Sequence, residues 1–276
     1  MELYYFVSGR DSDSWFYDSP LSNGGKSQIV NLRSFLKKES LKLGGGSSSY
    51  DGREDKAIRI LLALGEKETH DTSSHVVTSN LRRAISTTVI GLADRFAKTK
   101  AANNGNDGTH NNNDDQIILL PSLQEISTNP DALSILPPRG VAQPTWCDID
   151  IPGLPQGQFT PLINTKYHTG NKRINSNGLQ RLEQFVLDVF DDTKLPKSNI
   201  VAVGHSLFFR SLFKVYLPRQ TVHTAKDKKM VNGGAVMLTF REVTTMTNTG
   251  SKKKKYMIDP GSIVVIYGGF GKHTKG

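Results

Sequence analysis

Four places in the sequence carry side chains that could hold an anion and act on it. Gly204-His205-Ser206 follows a β-branched run at 200–203. Leu207, Phe208, Ser211, Leu212 and Val215 come next at helical spacing, with Pro218 beyond. A histidine placed there ends a buried strand and opens a helix, where open α/β sheets bind ligands. The helix start adds free N–H groups and a positive dipole end. Arg82 and Arg83 follow a second short strand, 75–78, in the first turn of a helix striped by Leu81, Ile85, Thr88 and Leu92. Cations there oppose the helix dipole, and a bound anion would compensate them. Residues 8–12 leave a first strand, 3–7, as a polar turn containing Arg10, and Glu125 follows a strand over 117–120. Guanidinium groups and an imidazole beside helix N–H groups suit a phosphate or sulfate. A neighbouring carboxyl group could pass a proton to a leaving oxygen.

The elements that must position these groups are legible from periodicity. Ser22 is placed to cap a helix carrying Ile29, Leu32, Phe35 and Leu36 on one face. A second helix over 56–64 buries Ile58, Leu61 and Leu62. A third over 177–190 buries Leu179, Leu182, Phe185, Val186 and Val189. Strands over 232–241 and 262–267 close the chain. This alternation implies a mostly parallel sheet in a three-layer α/β/α arrangement, as one domain over 1–276. Low-complexity insertions fall near 44–55 and 100–115, and His110 in the second reads as decoration. The irregular insert at 137–172 reads as a lid or substrate-facing loop pinned by Trp146 and Phe159. Segments 44–50, 101–115 and 248–254 offer little apolar area to offset ordering entropy and are expected to be exposed and poorly ordered.

Bulk properties narrow the function classes. The one cysteine, Cys147, excludes an internal disulfide and suits a reducing compartment. No apolar stretch approaches the ~20 residues of a membrane span. The N-terminus reads as a strand rather than a signal peptide, so a cytoplasmic protein without a membrane partner is expected. The net charge of +9 is concentrated in residues 210–276, which hold 13 Lys/Arg against three Asp/Glu. Lys226, Lys228 and Lys229 form one cluster and Lys252 to Lys255 another. Without interleaved aromatics or zinc spacing, these read as solvated loops between strands rather than a nucleic-acid surface. No metal-ligand constellation is evident, and no cofactor is expected.

The order of these segments resembles the histidine phosphatase superfamily, the phosphoglycerate-mutase-like fold. D-S-P-L-S-N-G-G-K-S-Q (18–28) resembles the stretch after that family's first motif, with Leu21, Gly25 and Gln28 in place. S-N-L-R-R-A-I-S-T resembles its S-x-L-x-R-A-x-x-T segment, which puts Arg83 at the phosphate-binding arginine. L-Q-E-I matches the stretch carrying the acidic proton donor, here Glu125. V-A-V-G-H-S matches the segment of the second, phosphate-binding histidine, here His205. Asn232-Gly233-Gly234-Ala235-Val236 resembles the asparagine-led strand near the C-terminus.

The departure is at the first motif. The family opens with Arg-His-Gly, and that histidine accepts the phosphoryl group. Here Ser8, Gly9 and Arg10 stand in those slots, and a two-residue shift puts Arg10 on the arginine and Asp11 on the nucleophile. Neither alignment supplies a histidine, and His70 before the second strand and His75 at its start lie at its opposite end. Three readings follow. The first is a partly retained pocket of Arg83, His205 and Arg10 that binds a phosphorylated small molecule or phosphoprotein with little or no turnover. The second is an active phosphomonoesterase using Asp11, or a water activated by Glu125. The third is a basic interaction or scaffold protein with a vestigial pocket.

Overall fold

The computed structural model describes residues 2–7, 17–44, 52–64, 72–97, 115–141, 160–173, 177–246 and 251–271. Its main sheet runs β4 (Ile163–Asn164), β3 (Ile117–Leu119), β2 (Ser74–Thr78), β5 (Asn199–Gly204), β1 (Glu2–Val7), β7 (Ala235–Met246) and β8 (Lys252–Ile258), with β9 (Val264–Tyr267) also paired to β7. From β4 to β1 every neighbouring pair is parallel, and β7, β8 and β9 add antiparallel strands at the other side. A small second sheet pairs β6 (Lys229–Met230) with β10 (Phe270–Gly271).

Alternation along β5 sets the layers. Val201 and Val203 pack into a core with α1 (Asn23–Gly44), α2 (Gly52–Leu61) and α3 (Arg82–Gly91). Ile200 and Ala202 face α4 (Gly178–Val189) and α5 (Ser206–Tyr216) on the other side, with Phe185, Phe208, Phe209 and Phe213 between. A strand apolar on both faces needs a helix layer on each. This is the three-layer, mostly parallel architecture that the alternation predicts.

Several boundaries differ from expectation, each for a local reason. Ser22 does cap α1, its Oγ accepting from Gly25 N at 3.0 Å. The helix α2 starts at Gly52 rather than 56, inside the expected low-complexity insertion. Two helix positions read as apolar face, Leu179 and Val215, are 58% and 50% exposed. The buried stripe of α5 includes Phe209 and Phe213 instead. Strand β7 begins only at Ala235, because Gly233, at φ +71°, turns the chain and Gly234 N closes onto Val231 O at 2.9 Å. It then runs on to Met246.

Lys252 to Lys255 are exposed, but they are not a loop. They form the edge strand β8, in register with β7 from Lys252–Met246 to Ile258–Phe240. Lys254 Nζ pairs with Glu242 Oε2 at 3.0 Å across the ladder. Lysines on an edge strand discourage pairing with another chain. The insert at 137–172 likewise holds order: a 3₁₀ turn at Thr160–Leu162 and the edge strand β4. Trp146, Phe159 and His110 lie outside the described residues, as do residues 45–50 and 101–114. No helix among the described residues is long and apolar enough to cross a membrane.

Candidate functional site

The C-terminal ends of β2, β3, β4 and β5 deliver the candidate residues to one edge of the sheet. The β2–β5 ladder continues one residue past Thr78, since Ser79 N donates to Val203 O at 3.0 Å. That holds Ser79 beside the Gly204–His205 turn, and Ser79 Oγ lies 2.9 Å from His205 Nε2. His205 is buried, in extended geometry at the N-cap of α5. It therefore sits beside the orphan N–H groups of an 11-residue helix.

Arg82 and Arg83 open α3, and their charges are compensated by two buried carboxylates rather than only by an anion from solvent. Asp18 Oδ1 accepts from Arg82 N at 2.7 Å, and Arg82 Nε donates to Asp18 O at 2.8 Å. Leu81, the N-cap residue, supplies no side-chain cap, so Asp18 does that work from a distance in sequence. Burial raises the pKa of Asp18, against the bonds from Arg82 and Ile135 that favour its charge. Arg83 Nη1 donates to Asp131 O at 2.8 Å, with Asp131 Oδ2 at 3.6 Å, and both side chains are almost wholly buried.

Glu125 follows β3 and a 3₁₀ turn at Pro121–Leu123. Its Oε1 accepts from Ile126 N at 2.7 Å. Two cations bond its backbone carbonyl, Lys172 Nζ at 2.5 Å and Arg181 Nη2 at 3.2 Å. Lys172 also donates to Ser127 O at 2.5 Å. Burial, and next the charge of Arg181, hold the pKa of Lys172 down at about 8, with Glu125 opposing them and Arg83 and Asp131 acting more weakly. Arg83, Asp131, Glu125, Lys172 and Arg181 thus belong to one charged neighbourhood. His205 is bonded to Ser79, which lies four residues before Arg83 in sequence.

Sequence reading missed much of what holds this edge together. Gln124 is fully buried and reaches three segments: Nε2 donates to Ala132 O at 2.8 Å and Asn171 Oδ1 at 2.6 Å, and Oε1 accepts from Lys172 N at 3.0 Å. Asn80 Nδ2 donates to Gly170 O at 3.0 Å and lies 3.2 Å from His168 Nε2. Burial lowers the pKa of His168, which favours the neutral ring. The signal available for Gln124 was its place beside Glu125. Asp18 opens the 18–28 motif, though nothing in it marked that carboxylate, and for Asp131, His168 and Lys172 no local pattern existed. Arg10, with Ser8, Gly9 and Asp11, lies outside the described residues, and His75 stands at the N-terminal end of β2, away from this edge. Among the described residues no cluster of three or more His, Cys, Asp or Glu could hold a metal ion.

No protein-family model matches the chain, and no curated protein sequence matches it. Among solved structures it is similar to an alpha-ribazole phosphatase from Shigella flexneri, at 14% identity and TM-score 0.41, covering 93% of this chain and 96% of that one. It is also similar to the mycobacterial glucosyl-3-phosphoglycerate phosphatase, at 16% identity and TM-score 0.39, covering 94% and 96%.

Proposed function

We propose that the chain binds a phosphorylated small molecule or phosphoprotein at the C-terminal edge of its sheet and turns over phosphomonoesters little or not at all. The observation that carries this reading is a mismatch. The sequence following β1 offers Ser8, Gly9, Arg10 and Asp11 where a histidine nucleophile is required, while Arg83, Glu125 and His205 follow the ends of neighbouring strands. Gly9 has no side chain, and Asp11 would bring negative charge against an incoming phosphate. Aspartate nucleophiles generally need a metal to offset that repulsion. Asp131 orients the Arg83 guanidinium, and Ser79 orients the His205 ring, so both groups are held without needing a substrate to place them.

Titration with vanadate tests the binding half of the reading. One saturating site per chain is expected, weakened by Arg83→Gln by about 1.5–3 kcal/mol, the range for charged hydrogen bonds. A rise that never saturates and vanishes with added salt would mean that a diffuse basic surface does the binding.

A further inference from the structure

Between α4 and the segment after β4 lies a cleft of about 410 Å³, within the range of small-molecule sites. None of Ser79, Arg83, Glu125 and His205 lines it. Its wall holds four cationic side chains, Lys172, Arg173, Arg181 and Lys194, against one carboxylate, Asp188. That carboxylate is already engaged inside the wall. Its Oδ1 accepts from Lys194 Nζ at 2.6 Å and Gln184 Nε2 at 2.9 Å, and its Oδ2 accepts from Ser122 Oγ at 2.9 Å. Asp188 therefore offsets Lys194, the Glu125 carboxylate acts on Lys172 and Arg181 from outside the cleft, and the wall still carries more cations than carboxylates.

Lys172 and Arg181 bond one shared carbonyl, that of Glu125, which brings both heads to the same side of the cleft. Of the charges acting on Lys172, the repulsion from Arg181 outweighs the attraction from Glu125. Arg173 is exposed and makes no ion pair among the described residues. Like charges held together in a preformed concave wall cost free energy that a bound anion would return. Leu120, Pro121 and the ring of Tyr167 give the cleft an apolar side as well.

We infer that this cleft is a second anion site, taking a small organic anion with two or more negative charges whose apolar part lies against Tyr167. It stands apart from the phosphate reading above. The probe is benzene-1,3,5-tricarboxylate, which carries no phosphate, titrated calorimetrically into the full chain with and without saturating vanadate. A single saturable site is expected, not competed by vanadate and changed far less by Arg83→Gln than by Arg181→Gln. Arg173→Glu, at an exposed position, and Arg181→Gln should each weaken it by about tenfold or more, the loss expected for one charged contact. The inference is overturned if the tricarboxylate fails to saturate, if it competes with vanadate, or if Arg173→Glu binds it as wild type does. Loss of vanadate binding with tricarboxylate binding intact would count against the phosphate reading alone.

Discussion

Lys172→Met separates the charge of a buried lysine from the hydrogen bonds it makes. Lys172 is 9% exposed, and its pKa is lowered from 10.5 to about 8, chiefly by burial. A lysine lowered in this way binds its proton less well in the folded chain than in the unfolded one. Its charge therefore costs stability fully below about pH 8, and the cost fades as pH rises towards 10.5, where the unfolded chain holds more protons. At about 1.4 kcal/mol for each tenfold in proton affinity, the whole cost is about 3 kcal/mol. Methionine keeps the stem's packing but leaves the carbonyls of Glu125 and Ser127 without this donor, a loss of about 1–3 kcal/mol that does not vary with pH. Urea unfolding of both proteins at steps between about pH 7 and 10.5 should show wild type gaining on the variant by about 3 kcal/mol across that span. A difference that stays constant would show that Lys172 is not charged against its surroundings, and the electrostatic picture of this edge would be wrong.

Other consequences follow at separate places. Arg95 is buried and donates to Asp115, Ile60 O and Ser74, so Arg95→Met should cost about 3–5 kcal/mol in urea unfolding by removing a buried ion pair and its hydrogen bonds at the far end of the sheet. Asn177 caps α4 by accepting from Leu179 N at 2.9 Å, and Asn177→Ala should lower stability by about 1 kcal/mol, read as a lower thermal midpoint. Gly268→Ala places a Cβ 2.5 Å from Val231 Cγ2 at φ +71°, and unfolding should show a loss of about 1–3 kcal/mol. Restoring the missing groups with Ser8→Arg and Gly9→His should raise aryl-phosphate turnover above that of wild type, measured by release of the phenol.

The parts of the fold that were legible are those whose signal is local. The apolar run before Gly204 and the helical spacing after His205 specify β5 and α5 within a few residues, because a doubly covered strand and a covered helix must carry their own apolar groups. The edge strands were not legible for the opposite reason. Lys252 to Lys255 have no buried face, and only their register on β7 makes them a strand. The two-residue β4 is likewise defined by pairing to β3. Among candidate site residues, His205 stood out from its strand–helix junction, whereas the motif resemblance singled out Arg83 over Arg82 and pointed to Glu125. Their partners did not stand out. Asp18 reaches Arg82 across 64 residues and Asp131 reaches Arg83 across 48, separations at which no spacing rule operates. The compensation that a free anion was expected to give Arg82 comes from such a long-range carboxylate.

Turnover by the unmodified chain tests the central claim most directly. Wild-type protein should hydrolyse an aryl phosphate at the background rate and form no acid-labile phosphoenzyme, while still binding vanadate at one saturable site. A robust rate that is abolished by His205→Ala would show that a working nucleophile exists, and the reading of a binding protein without a nucleophile would be contradicted.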